Sequence, residues 1–169
     1  MKSFAASYEI PATVEQATAL LTTQQYVEEK YRSLGAVNLR VTVLQDDTER
    51  FHSKVERIVN MREKAPGFAK KLVKEEMTVV HEIWWHKQGD TKQGGFKAAL
   101  PGVNGGIEAE LFLEPTESGK AQIRIAANVQ INIPLIGGKL ESYMANTAAE
   151  KFEADIDATR AYLRKHLAG

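Results

Sequence analysis

The stretch Ile133-Pro134-Leu135-Ile136-Gly137-Gly138-Lys139-Leu140-Glu141, with the run that follows it to Leu167, decides how the rest of the chain is read. After Gly138 the apolar residues fall at Leu140, Met144, Ala148, Phe152, Ile156, Leu163 and Leu167, nearly all separated by four or a near multiple of it. That is the single stripe of an amphipathic helix, and no proline or glycine interrupts it. A helix from Lys139 to Leu167 is roughly 43 Å long at 1.5 Å per residue, so it must lie across most of a domain. Such a stripe needs an apolar surface of similar length to receive it.

The residues upstream supply that surface as strands. Phe4, Ala6, Tyr8 and Ile10 alternate with Ala5, Ser7 and Glu9, the pattern of a half-buried strand that Pro11 ends. Thr13 and Gln16 have the spacing of a capping box, and Val14, Ala17, Leu20 and Leu21 give the short helix behind it an apolar face. A second short helix runs from about Thr23 to Leu34, with Gly35 placed as its C-terminal cap. From Val37 the period becomes two: strands are predicted at Val37–Gln45, Arg50–Asn60, Met77–Lys87, Gly94–Leu100, Ile107–Pro115 and Ala121–Ile133. In the last two, one face is wholly apolar and the other polar, as in an antiparallel meander with one buried side.

Composition sets the outer limits. With 169 residues and 43% hydrophobic content, the chain is long enough for one ordinary domain, residues 1–169, with a core that needs no disulfide or metal. Lysine plus arginine and aspartate plus glutamate number 22 each, so no net field recruits nucleic acid or an anionic surface. The absence of cysteine excludes a thiol nucleophile and cysteine metal sites. The opening residues lack a signal-peptide core and no apolar run is long enough to span a membrane, so the expectation is a cytoplasmic protein without integral membrane association. No oligomeric state is legible.

A strand, two short helices, six meandering strands and a long closing helix is the order of the helix-grip fold. Four stretches carry a resemblance: Tyr8-Glu9-Ile10-Pro11-Ala12, Glu82-Ile83-Trp84, Leu113-Glu114-Pro115 and the Ile133–Glu141 motif, the last being the most specific. By these the chain resembles the START/Bet v 1-like (SRPBCC) superfamily, and within it a bacterial family of uncharacterised domains, DUF2505. The resemblance implies an α+β fold: a seven-stranded curved antiparallel sheet, two short helices after the first strand, a long C-terminal helix in the sheet's grip, and a cavity between sheet and helix. It implies no particular reaction, because one fold serves many functions.

Candidate site residues are those whose register faces the helix. Tyr8, Ser53, Arg57, His81 and Trp85 are the groups expected on the inner face able to contact a ligand directionally, with Ile83, Phe96 and Met144 as apolar lining. His81 reads as an acid/base or ligand-anchoring group, or as an interior histidine whose bonds are satisfied. Arg57 reads as a carboxylate anchor, or as a side chain pairing with the wall or reaching an open end. Trp84 and Trp85 are adjacent, so only one faces inward; Met77, Val79, His81 and Ile83 favour Trp85, whereas the resemblance attaches to Trp84, and a bulge would exchange them. Gly94-Gly95 and Gly102–Gly106 read as turns rather than phosphate loops. The four histidines, His52, His81, His86 and His166, lack ligand spacing, so neither a metal nor another cofactor is expected.

The expected function is therefore binding of an apolar or amphipathic small molecule, lipid-like or polycyclic. The alternatives are a cyclase- or hydrolase-like enzyme using His81, and a protein-interaction module. Direction reversal in a meander places the connections 60–76, 101–106 and 134–138 at one end. Phe68, Leu72, Val103 and Ile136 lie on them, and apolar loop residues there are expected to rim the ligand entrance.

Overall fold

The computed structural model describes residues 1–72, 75–99 and 104–168. Strand β1 (Lys2–Glu9) is followed by helices α1 (Val14–Leu21) and α2 (Gln24–Ser33), then β2 (Val37–Asp46) and β3 (Arg50–Asn60). A short helix α3 (Met61–Lys64) and a 3-10 turn (Gly67–Leu72) lead to β4 (Glu76–His86), β5 (Lys92–Ala99), β6 (Gly105–Pro115) and β7 (Ala121–Ile131). The chain closes with α4 (Gly137–Leu167), 31 residues and about 46 Å long. The seven strands form one curved antiparallel sheet in the order β1-β7-β6-β5-β4-β3-β2. It is the helix-grip arrangement that the element order predicts.

Local chemistry explains the boundaries. Thr13 Oγ1 accepts from the Gln16 backbone N–H at 3.2 Å while Gln16 Oε1 accepts from the Thr13 N–H at 3.0 Å, which completes the capping box of α1. Thr23 caps α2 by accepting from the Tyr26 N–H at 3.1 Å. Beyond α2, Gly35 at φ 84° lets the Ala36 N–H return to the Tyr31 carbonyl, 2.9 Å away. Strand β7 stops at Ile131, two residues before its expected end, and there the Ile131 N–H donates to the Glu141 carboxylate of α4 at 3.0 Å. Edge strand β2 carries two register shifts, one next to Asn38 at φ 51°, and such bulges disrupt the regular ladder that an edge offers to other chains.

Gly94 and Gly95, read from the sequence both as the start of a strand and as a turn, lie inside β5. Gly94 stands opposite Trp85 and Gly95 opposite Trp84. A Cβ on Gly94 would meet Trp85 Cε3 at 2.8 Å, and one on Gly95 would meet Trp84 Cε2 at 2.5 Å. Each indole therefore lies over the bare backbone of a glycine on its own face of the sheet, so the two pairs form one packing unit. Helix α4 packs on β1 and β7 and against α1 and α2, while α2 also reaches β2. The core follows the odd register of β3, β4, β6 and β7: Phe51, Val55, Leu111, Leu113, Ile123 and Ile125 are buried, with Ile156 and Leu163 of α4 above them. Phe152, expected in the middle of the buried stripe, is only half-buried; its ring stacks on Phe4 of edge strand β1 with centroids 5.5 Å apart.

Candidate functional site

Strands β3 and β4 run in register, with Val55 opposite His81 and Ser53 opposite Ile83. Ser53 and His81 are thus diagonal neighbours on the inner face, and both are buried, at 0% and 2% exposure. Trp85 also points inward and is buried, while Trp84 lies on the outer face, with His52 in edge contact and the Arg50 guanidinium over its ring. The inner-register positions Tyr8, Arg57, Ile83 and Phe96 are half-buried, and Met144 of α4 is half-buried as well. Ser53, Arg57, His81, Ile83, Trp85 and Phe96 therefore share the inner face of β3–β5, whereas Tyr8 lies across the sheet on edge strand β1.

His81 is the centre of this group. Arg57 Nη1 lies 3.2 Å from His81 Nδ1. Because a guanidinium only donates, Nδ1 is the acceptor and the ring proton resides on Nε2. The rings of Tyr31 from α2 and Phe96 from β5 each sit 5.0 Å from the imidazole centroid. Burial, then the positive charges of Arg57 and Lys30, drive the His81 pKa down to about 3, so the ring is neutral across the physiological range. Four buried side-chain atoms among the described residues make no hydrogen bond within the chain, and two of them are His81 Nε2 and Ser53 Oγ.

The helix layer contributes groups that sequence reasoning did not place in the site. Lys30 Nζ is buried and bonds Asp155 of α4 at 2.7 Å, and Tyr26 shares a 2.7 Å hydrogen bond with Thr159. Burial pushes the Tyr31 phenol up to about 12. The Arg57 guanidinium lies 5.1 Å from the centre of the Tyr31 ring. The signal for these residues was present in Tyr26-Val27 and Lys30-Tyr31, two pairs four residues apart on the buried face of α2.

Exposure differs between the two ends of the inner layer. Near the β2–β3 and β4–β5 turns it is closed by Phe51, Ser53 and Trp85 under α1, α2 and the C-terminal half of α4. Toward the connection 61–75 the same register becomes half-buried: Arg57 and Val59 on β3, Met77 and Val79 on β4, and Met144 and Phe152 on α4. At this end Phe68 is 46% exposed and Lys139 Nζ sits 6.0 Å from its ring centre. Ile136 is half-buried at the start of α4, and the neighbouring Leu135, at φ 72°, is 99% exposed. Val103 and the side chain of Leu72 lie outside the described residues.

Two concavities lie away from His81. One, of about 10 Å³, is water-sized and lies between α1, Trp85 and Lys92. The other, of about 210 Å³, is a groove between α2 and α4 lined by Lys30, Ser33, Ala158 and Tyr162. Among the described residues no group of three His, Asp or Glu side chains is placed to hold a metal, and no helix is long and apolar enough to cross a membrane.

Known structures share this architecture at low sequence identity. TTHA0849 from Thermus thermophilus superposes with a TM-score of 0.64 at 16% identity, over 98% of this chain and 99% of that one. Ara h 8.0201 gives 0.55 at 10% identity, over 97% and 98%. The di-domain ARO/CYC protein BexL from the BE-7585A biosynthetic pathway gives 0.54 at 10% identity, over 97% of this chain and 47% of that one. No curated protein matches the sequence. The model of a family described as protein of unknown function (DUF2505) matches residues 5–163. With this match over nearly its whole length, and with the Bet v 1-like helix-grip fold, the chain belongs to the DUF2505 family.

Proposed function

We propose that the protein is a binding module for an apolar or amphipathic small molecule, lipid-like or polycyclic, held between the sheet and α4. The observation that carries this reading is the half-open inner layer. Met77, Val79, Ile83 and Phe96 on the sheet and Met144 and Phe152 on α4 belong to the faces that would form a core, yet each remains partly exposed. Covering apolar surface is favourable by about 25 cal/mol per Å², so a ligand there would gain what the protein's own packing forgoes. The ligand would enter at the end of the 61–75 connection, with Phe68 and Ile136 at its rim. That an ARO/CYC protein of a biosynthetic pathway shares the fold supports a small-molecule occupant.

The enzymatic alternative gains little from His81. An imidazole whose pKa is held at about 3 is a feeble base near neutrality, and its Nδ1 partner is a cation rather than an orienting carboxylate. Native mass spectrometry of freshly purified protein tests the binding reading. A co-purifying apolar species of defined mass, released by organic extraction, is expected. Protein that is ligand-free and also fails to take up the neutral apolar dye Nile red would overturn the reading.

A further inference from the structure

We infer that the inner face carries a polar anchor, His81 Nε2–H with Ser53 Oγ, and that its ligand is an apolar molecule bearing a carbonyl or carboxylate oxygen. This rests on the binding reading above and names the chemistry of the ligand's head. Two buried polar atoms without partners on adjacent strands are the starting point. Buried polar groups nearly always have partners, because leaving one unpaired is costly. Both sit on the same face of the β3–β4 pair, as diagonal neighbours. Diagonal positions in an antiparallel pair are about 7–8 Å apart at the backbone, close enough for one ligand oxygen to be reached from both side chains.

The type of partner follows from the proton positions. The guanidinium of Arg57 occupies Nδ1, so Nε2 presents an N–H and requires an acceptor. The Ser53 hydroxyl rotates to donate beside it. The charge behind the imidazole strengthens that donor and favours an acceptor with negative charge or a strong dipole, which a carbonyl or carboxylate has and a hydrocarbon lacks. Access lies along the half-buried part of the face; the rings of Tyr31 and Phe96 flank the imidazole at 5.0 Å, and the head would displace them to reach it. The apolar body then lies over Val79 and Met77 toward the open end. Ser53 and His81 thereby set both the depth and the polarity of the ligand.

Displacement of Nile red by decanoate, 2-decanone and decane tests this on the full chain. Decanoate or 2-decanone should displace the dye roughly ten- to a hundredfold more effectively than decane, the range expected when two buried donors gain an acceptor. Ser53→Ala, which removes only a hydroxyl, should shrink that preference, and His81→Phe should abolish it; thermal melts of both variants establish that they fold. If all three compounds compete equally while Nile red binds, the binding reading stands and the anchor is overturned, the two donors being served by buried water. If Nile red binds and the head-group preference survives in Ser53→Ala and in a folded His81→Phe, the anchor lies elsewhere and the inference fails. If neither the dye nor any of the three compounds binds, the binding reading itself fails, and the anchor with it.

Discussion

At the scale of single residues, His81 shows how far a strand pattern reaches. Its inward direction was legible, because Met77, Val79, His81, Ile83 and Trp85 alternate with polar or outward residues, and the structure buries it as that register predicts. Its protonation was not legible, since that depends on Arg57 two positions beyond its cross-strand partner Val55, and on Lys30 from a helix distant in sequence. The consequence is measurable. The folded pKa, about 3, lies below the ordinary value of 6.5, so the unfolded chain binds the proton more readily. The stability His81 contributes is therefore complete above about pH 6.5 and is lost as pH falls toward about 3, at no more than about 1.4 kcal/mol per pH unit. Urea denaturation between about pH 6.5 and 5, above the range of the carboxylates, should show this slope in the native protein and lose it in His81→Gln. Equal slopes in both would mean that the imidazole titrates normally.

At the scale of elements, the strands and helices were largely readable and their unions were not. The alternation of Ile107–Leu113 and Ala121–Ile131 places β6 and β7 correctly, but β5 starts at Lys92, two residues before the predicted start, and Gly94 and Gly95 read in the sequence both as strand and as turn. Only their position opposite Trp85 and Trp84 makes them strand residues. The same holds for the helix layer, where Lys30 and Asp155, remote in sequence, join α2 to α4. Removing one member of a buried ion pair leaves the other charge unpaired, whereas replacing both with apolar groups is often nearly neutral. Asp155→Asn should therefore cost about 3 kcal/mol, and Lys30→Met combined with Asp155→Leu should cost less than that single change. Chemical denaturation of the two variants decides it. A double variant weaker than Asp155→Asn would show that the pair contributes through contacts other than its charges.

At the scale of the whole molecule, direction reversal along the meander was sufficient to assign each connection to an end, and the strand order agrees with that assignment. The expectation that the 60–76 end opens rests on apolar loop residues alone; the packing that closes the other end was not legible. That depends on α1, α2 and the C-terminal half of α4 meeting Phe51, Ser53 and Trp85 at one end, while Arg57, Val79 and Met144 stay half-buried at the other. Loops over a half-filled interior are expected to open most readily. The central claim, that a small molecule is held inside the grip and enters from this end, is tested most directly by hydrogen exchange with and without Nile red. New protection is expected in the 61–75 connection, in the first half of β4 and at the start of α4. Protection confined to the 47–49 and 116–120 turns, or to the groove between α2 and α4, would contradict the claim.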